Sequence, residues 1–284
     1  MYFHRKPVTH VSHVSLKVED LERALRFYTT VIGFQVADQT ARTAELTAGG
    51  AVLLTLEQPE DVMPKQPRTT GLFHFALLVP DRADVGRFIK HSVKHGNVIQ
   101  GASDHRVSEA LYLTDPDGNG IEIYADRDPS SWPWTNDQVG MVTEPLDVES
   151  LLEAAGDTEW NGLPEGTVMG HIHLHVSDME RDTAFYTDVL GLAVVSSYGG
   201  QANFLSDSRY HHHVALNVWN GRNIPAPAEN SVGLRHYTIA FPNEDARQNV
   251  LSRLEQTEAA ITREKDAIVT ADPAGNRIQL VVEG

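Results

Sequence analysis

Glu122 stands alone between two β-branched residues in Ile121-Glu122-Ile123-Tyr124, just after the turn Asp115-Pro116-Asp117-Gly118. Alternate side chains of a strand point to opposite faces, so Glu122 faces away from both isoleucines. If the isoleucines meet an apolar layer, the carboxylate points into a barrel or cleft. There it is costly unless paired or bound to metal. At a sheet edge it would face solvent instead. Histidines supply matching donors. His13, His74, His171 and His236 each stand in a short β-rich run, and His211-His212-His213 precedes Val214-Ala215-Leu216. Two imidazoles, one carboxylate and open positions suit non-haem Fe(II), and Mn(II) accepts the same donors. A further imidazole near neutral pKa suits general acid–base work. His74 and Glu122 are expected in such a site, with His13 or His171 as the third ligand.

The elements that carry these residues repeat. From His10 a strand pattern leads to Glu19-Asp20, which starts a helix over Leu21–Val31; Gly33 ends it, and three strand-like runs follow. Residues 170–195 overlay 12–37 without a gap, so His171 falls on His13, Phe185-Tyr186 on Phe27-Tyr28 and Gly191 on Gly33. Two more copies start near Gly71 and Gly233 and close with Asp115-Pro116-Asp117-Gly118-Asn119 and Asp272-Pro273-Ala274-Gly275-Asn276. The pattern predicts an α+β chain of four βαβββ modules at 9–58, 71–126, 170–221 and 233–283, grouped as domains 9–126 and 169–284. A proline-containing linker over 127–168 with a short helix at Val148–Ala155 separates them, and residues 1–9 read as a tail. Only one closing strand carries a carboxylate, because Gln279 stands where Glu122 does in the second module.

Composition narrows the function. The 284 residues carry a formal charge of −16, which disfavours nucleic acid and anionic membrane as partners. There is no cysteine, so thiolate chemistry, cysteine-ligated zinc and iron–sulfur clusters are excluded. No apolar run has the length of a membrane span and no signal-peptide core is visible, so a cytoplasmic protein is expected. Open sheet edges make a homo-oligomer the expected state.

This pattern resembles the vicinal oxygen chelate superfamily, which includes glyoxalase I, bleomycin-resistance proteins and type I extradiol dioxygenases. Four modules in one chain look most like the extradiol branch, in particular the catechol 2,3-dioxygenases of bacilli. The resemblance covers nearly the whole chain and implies two open barrels, each enclosing a site between paired modules. The family signature is His, then Leu-Tyr-x-x-Asp-Pro-x-Gly, then Glu; it falls on His105, Leu111-Tyr112, Asp115-Pro116, Gly118 and Glu122, with Ser103 departing from it. A second family pattern, His-His-x-hydrophobic-Ala-hydrophobic, falls on His211 to Leu216, whereas the first module has no histidine in Ala51–Leu56.

These matches imply that modules two and three build the active barrel, with metal ligands His74, Glu122 and His171 and with His13 as the alternative ligand. In the usual family layout the last two modules carry the metal, so this chain departs from it. The resemblance further implies a small aromatic diol and O2 as reactants. Catechol would be cleaved beside its hydroxyls to 2-hydroxymuconate semialdehyde. His212 would be the acid–base group, and Tyr112 and His105 would assist the substrate oxygens or the ligands. His213 would face the other way; His173 shares the face of His171 and is placed in the pocket. Trp219, Tyr124 and Phe75 lie near the same strands. Three other readings use parts of this pattern. A hydroquinone-cleaving dioxygenase shares the metal site. A glyoxalase-like isomerase or lyase would use one carboxylate per module. A metal-free drug-binding protein would not need His74, Glu122 and His212 together.

Overall fold

The computed structural model describes residues 3–257, 259–264 and 267–284. Met1 and Tyr2, at the start of the expected tail, lie outside them. The repeat becomes four βαβββ units. The first is β1 (His10–Lys17), α1 (Leu21–Phe27), β2 (Gln35–Gln39), β3 (Thr43–Thr47) and β4 (Val52–Glu57). The second is β5 (Gly71–Leu78), α2 (Arg82–His95), β6 (Gly101–Asp104), β7 (Ser108–Thr114) and β8 (Gly120–Asp126). Between the halves lie β9 (Trp134–Thr135), β10 (Gln138–Val139) and α3 (Val148–Ala155). The third unit is β11 (Val168–His175), α4 (Met179–Ala184), β12 (Ala193–Tyr198), β13 (Ala202–Ser206) and β14 (Val214–Asn217). The fourth is β15 (Gly233–Phe241), α5 (Glu244–Leu254), β16 (Thr262–Glu264), β17 (Ala267–Ala271) and β18 (Arg277–Val282).

Short polar residues start the unit helices. Asp20, Asp81, Asp178 and Asn243 each accept a hydrogen bond from a first-turn backbone N–H. The helix expected over Leu21–Val31 is α-helical only to Phe27. Tyr28–Ile32 form a π turn, closed by Gly33 at φ 95°. Phe185–Val189 repeat that turn after α4. Both turns bury a tyrosine. Tyr28 donates to Asp115 Oδ2 at 2.9 Å, and Tyr186 donates to Asp272 Oδ2 at 2.9 Å. Each aspartate also accepts from the backbone and side chain of the asparagine four residues on. The aspartate of the Asp-Pro-x-Gly-Asn turn is therefore structural: it locks its own turn and ties it to the preceding unit.

The first strands sort the units into two eight-stranded sheets. β5 pairs antiparallel with β11, giving the order β12-β13-β14-β11-β5-β8-β7-β6. β1 pairs antiparallel with β15, giving β16-β17-β18-β15-β1-β4-β3-β2. Each half of the chain thus gives one unit to each sheet. Ile121 and Ile123 are fully buried in the main apolar core with Phe75, Leu77, Ile172 and Leu174. Burial of each such side chain stabilises by roughly 1.5–3 kcal/mol, and a one-residue slip would put Glu122 in its place, so the register is held.

The segment between the halves is packed, not loose. α3 lies so close to α2 that a Cβ on Gly86 would sit 2.0 Å from Leu151 O. Trp132 and Val139 join a small apolar cluster with Val107, Val195 and Tyr210. The expected tail is packed too: Val8 is buried, and the buried His4 places Nε2 2.7 Å from Gly170 O. Among the described residues no helix is long and apolar enough to cross a membrane.

Candidate metal centre and active-site cavity

Register brings the donors together. His171 on β11 lies opposite Ala76 on β5, and Ala76 lies beside Glu122 on β8. The alanine methyl is short enough for His171 and Glu122 to meet across the intervening strand. His74, two residues from Ala76, projects from the same face. Gly120 lets β8 close on this strand, since a Cβ there would lie 2.1 Å from Phe73 O. Register shifts in β11 flank His171 and His173, the kind of irregularity that re-aims side chains beside a site.

Glu122 Oε2 is 3.0 Å from His74 Nε2 and 3.1 Å from His171 Nε2. One ligand atom from each residue lies within 4.8 Å of the others, and all three residues are buried. His74 Nε2 makes no well-aligned hydrogen bond despite this proximity. Burial lowers His171 to about 4, against the attraction of Glu122, so its imidazole is neutral near pH 7. Burial opposes ionisation of Glu122, but the adjacent His171 and His74 outweigh it and hold the carboxyl well below its usual range. Neutral imidazoles and an ionised carboxylate are the protonation states that bind metal. The donor set and the unbonded His74 nitrogen fit a divalent first-row ion.

A cavity of about 680 Å³ opens onto this cluster. His212 lines it, its ring 4.0 Å from that of His171 between centroids. Burial, then the neighbouring His171, lower His212 well below the usual histidine value. Tyr112, paired with Glu122 across β7 and β8, also lines the cavity. Its hydroxyl lies 2.6 Å from His105 Nε2, and His105 Nδ1 lies 2.6 Å from Val142 O. A carbonyl only accepts, so His105 carries its proton on Nδ1, and Tyr112 donates to Nε2. Burial, then the charge of Glu122, raise the Tyr112 phenol well above its usual value. His173 is buried against the cavity with Nε2 unbonded. Phe73, Phe204 and Trp219 supply aromatic wall.

The structure leaves several sequence candidates elsewhere. His13 does not reach Glu122: it lies on the other sheet, 2.8 Å from Thr55 Oγ1. His213 turns to the N-terminal segment, with Nε2 2.9 Å from Phe3 O. Tyr124 is buried with its hydroxyl 2.7 Å from that of Tyr210, and Phe75 belongs to the core. Sequence reasoning missed two contributors. The segment between the halves supplies Val142 to hold His105, and Asp126 holds His211 at 2.9 Å beside His212. The doubled histidine was visible in the sequence, whereas nothing local marked Asp126.

Comparison with known proteins agrees with this architecture. The Glyoxalase/Bleomycin resistance protein/Dioxygenase superfamily model matches residues 10–123 and 168–280. A protein of Bacillus subtilis (strain 168) named catechol-2,3-dioxygenase is 47% identical over 281 residues, covering 96% of this chain and 98% of that protein. A metallothiol transferase of Staphylococcus saprophyticus is 24% identical over 40% of this chain and 75% of its own length. The crystal structure of glyoxalase I from Zea mays superposes with a TM-score of 0.59 at 18% identity, over 96% of this chain and 92% of that one. That likeness shows the shared fold. With both halves matched by one family model, two sheets each built of paired βαβββ units and a buried His-His-Glu cluster on one of them, the chain belongs to the Glyoxalase/Bleomycin resistance protein/Dioxygenase superfamily.

Proposed function

We propose that this chain is an extradiol ring-cleaving dioxygenase that converts catechol and O2 to 2-hydroxymuconate semialdehyde, with Fe(II) held by His74, His171 and Glu122. The observation that carries this reading is the buried trio, two of whose members, His74 and Glu122, line one cavity together with His212. The relative's name, catechol-2,3-dioxygenase, supports it. Fe(II) held by His74, His171 and Glu122 would bind the diol and O2 and pass electrons between them.

The protein's own residues do the rest. Phe73, Phe204 and Trp219 hold the aromatic ring and exclude water. His212 is neutral and faces the cavity, so it accepts a proton from a substrate hydroxyl and returns it when the O–O bond breaks. Tyr112 keeps its proton and donates it in a hydrogen bond to His105 Nε2, which turns the lone pairs of its oxygen toward a substrate hydroxyl. His173 Nε2 is a further polar group for the diol. The edge strands β2 and β16 support a homo-oligomer as the working state.

Protein loaded anaerobically with Fe(II) or with Mn(II) is given catechol and O2, and the product is identified by mass and absorbance. The expected result is the yellow semialdehyde, one O2 consumed per catechol, with Fe(II) the active metal. Cleavage between the hydroxyls, to a dicarboxylic acid, would sink the extradiol reading, as would no cleavage with either metal. Light scattering tests the oligomer, and a monomer at assay concentration removes that part.

A further inference from the structure

Behind His212, on the side away from the cavity, a buried chain of contacts has no part in the chemistry above. His211 Nδ1 lies 2.8 Å from His212 Nδ1. The other nitrogen of His211, Nε2, lies 2.9 Å from Asp126 Oδ1. His211 is fully buried, while the Asp126 side chain keeps 19% of its exposure. Tyr210 donates to the same carboxylate oxygen at 3.3 Å, and the ring of Trp132 stands 5.2 Å from that of His211.

With His211 neutral, these contacts fix where the protons sit. A carboxylate only accepts, so His211 Nε2 carries a proton. A neutral His211 then has a bare Nδ1. Two ring nitrogens 2.8 Å apart need one proton between them, so His212 supplies it from its own Nδ1. With Nδ1 committed, the nitrogen that His212 offers to the cavity is an unprotonated Nε2. Fixing the tautomer of one imidazole through the bond made by its other nitrogen is a general device of histidine sites.

We propose that Asp126 and His211 are positioning residues that hold His212 as its Nδ1–H tautomer, so that its Nε2 is the proton acceptor facing the substrate. This rests on the acid–base role proposed for His212. Neither residue touches the cavity. Asp126 reaches His211 from the end of β8, the strand that carries Glu122, so one strand supplies a metal-binding carboxylate and the carboxylate that orients the base.

The test uses Asp126→Asn, Asp126→Glu and His211→Phe in the full chain. An amide at 126 offers an N–H to His211 Nε2 and permits the opposite arrangement, with the His212 proton on Nε2. The tautomer is read by long-range ¹H–¹⁵N NMR of histidine-labelled protein without metal, with His212 assigned by its loss in His212→Gln. The parent is expected to show His212 protonated on Nδ1, and Asp126→Asn to shift it toward Nε2. Iron-loaded Asp126→Asn and His211→Phe are expected to lose about 10–100-fold in kcat with KM little changed and iron retained, and Asp126→Glu to recover most of it. The proposal is overturned if the parent carries the His212 proton on Nε2, if both variants keep the parental kcat, or if their lost turnover follows lost iron. If Asp126→Asn does not fold, His211→Phe decides. A parent that cleaves no catechol overturns the dioxygenase reading, and the tautomer measurement still judges the relay.

Discussion

The two sheets are built alike and furnished differently. In both, a first-strand histidine faces a small residue on the neighbouring first strand, and that residue neighbours the closing-strand position. One sheet reads His171, Ala76, Glu122; the other reads His13, Thr238, Gln279. The parallel strand beside the histidine also matches in register: Ile172 meets Val214 where Val14 meets Leu54, which sets Ala215 against Thr55 and His212 against Val52. In the second sheet the hydroxyls quench the site. Thr55 Oγ1 lies 2.8 Å from His13 Nε2, and Thr238 donates to Gln279 at 3.4 Å. Where alanines stand, the imidazole finds no partner nearer than Glu122. The scaffold presents paired histidines in both sheets. Open donors arise where neighbouring side chains are too short to satisfy them and one neutral amide is replaced by a carboxylate.

Making the first sheet resemble the second should break it in graded steps. Glu122→Gln has the largest expected effect: bound iron after anaerobic loading falls to background, and catechol cleavage with it. An iron-replete, active Glu122→Gln would remove the carboxylate from the proposed site. His212→Val, which copies Val52, is expected to keep iron and lose about 10²–10⁴-fold in kcat, the range of a lost acid–base group. Ala76→Thr, which copies Thr238, overfills the space between His171 and Glu122. At about 1–3 kcal/mol it should weaken iron binding by roughly 10–100-fold, readable by competition with a chelator.

The smallest effect lies in the quenched sheet. Burial lowers His13 from 6.5 to about 4 and His236 to about 3, so both are neutral in the fold. The unfolded chain takes up protons near 6.5, so stability is lost as pH falls through this window and levels off below the folded values. In metal-free protein, His236→Gln should flatten the decline of the urea midpoint between about pH 6.5 and 4. An unchanged slope would show that His236 takes no part.

Much of this was legible without coordinates, because the repeat is written at positions that backbone geometry constrains. Gly33 closes the first π turn and Gly191 follows the second, both at positive φ, and the two Asp-Pro-x-Gly-Asn turns hold buried aspartates. The isoleucines around Glu122 announced its direction, since period-two alternation is a property of any strand with one buried face. Other features left no such mark. The π turns share their apolar spacing with an ordinary helix, so the pattern over Leu21–Val31 read as one element. Asp126 meets a residue 85 positions away, and at the end of a strand it looks like any exit-turn carboxylate. The tail and the segment between the halves read as loose because proline and polar residues dominate them. Their few apolar anchors gain meaning only in the fold, where Val8 is buried and Trp132 and Val139 cluster with Tyr210.

The exchange of units between halves bears on how such a chain can be divided. β5 comes from one half and β11 from the other, so the cluster of His74, Glu122 and His171 straddles a boundary that sequence alone would draw between separate domains. A polypeptide holding only two successive units would present two first strands with no antiparallel mate. A second copy would complete both sheets, and each donor cluster would then lie at a subunit seam. In this chain the seam is internal and the copies are covalently tethered. The tether frees the two seams to diverge, which a symmetric dimer of identical chains could not do: one keeps its open donors while the other is sealed by threonines.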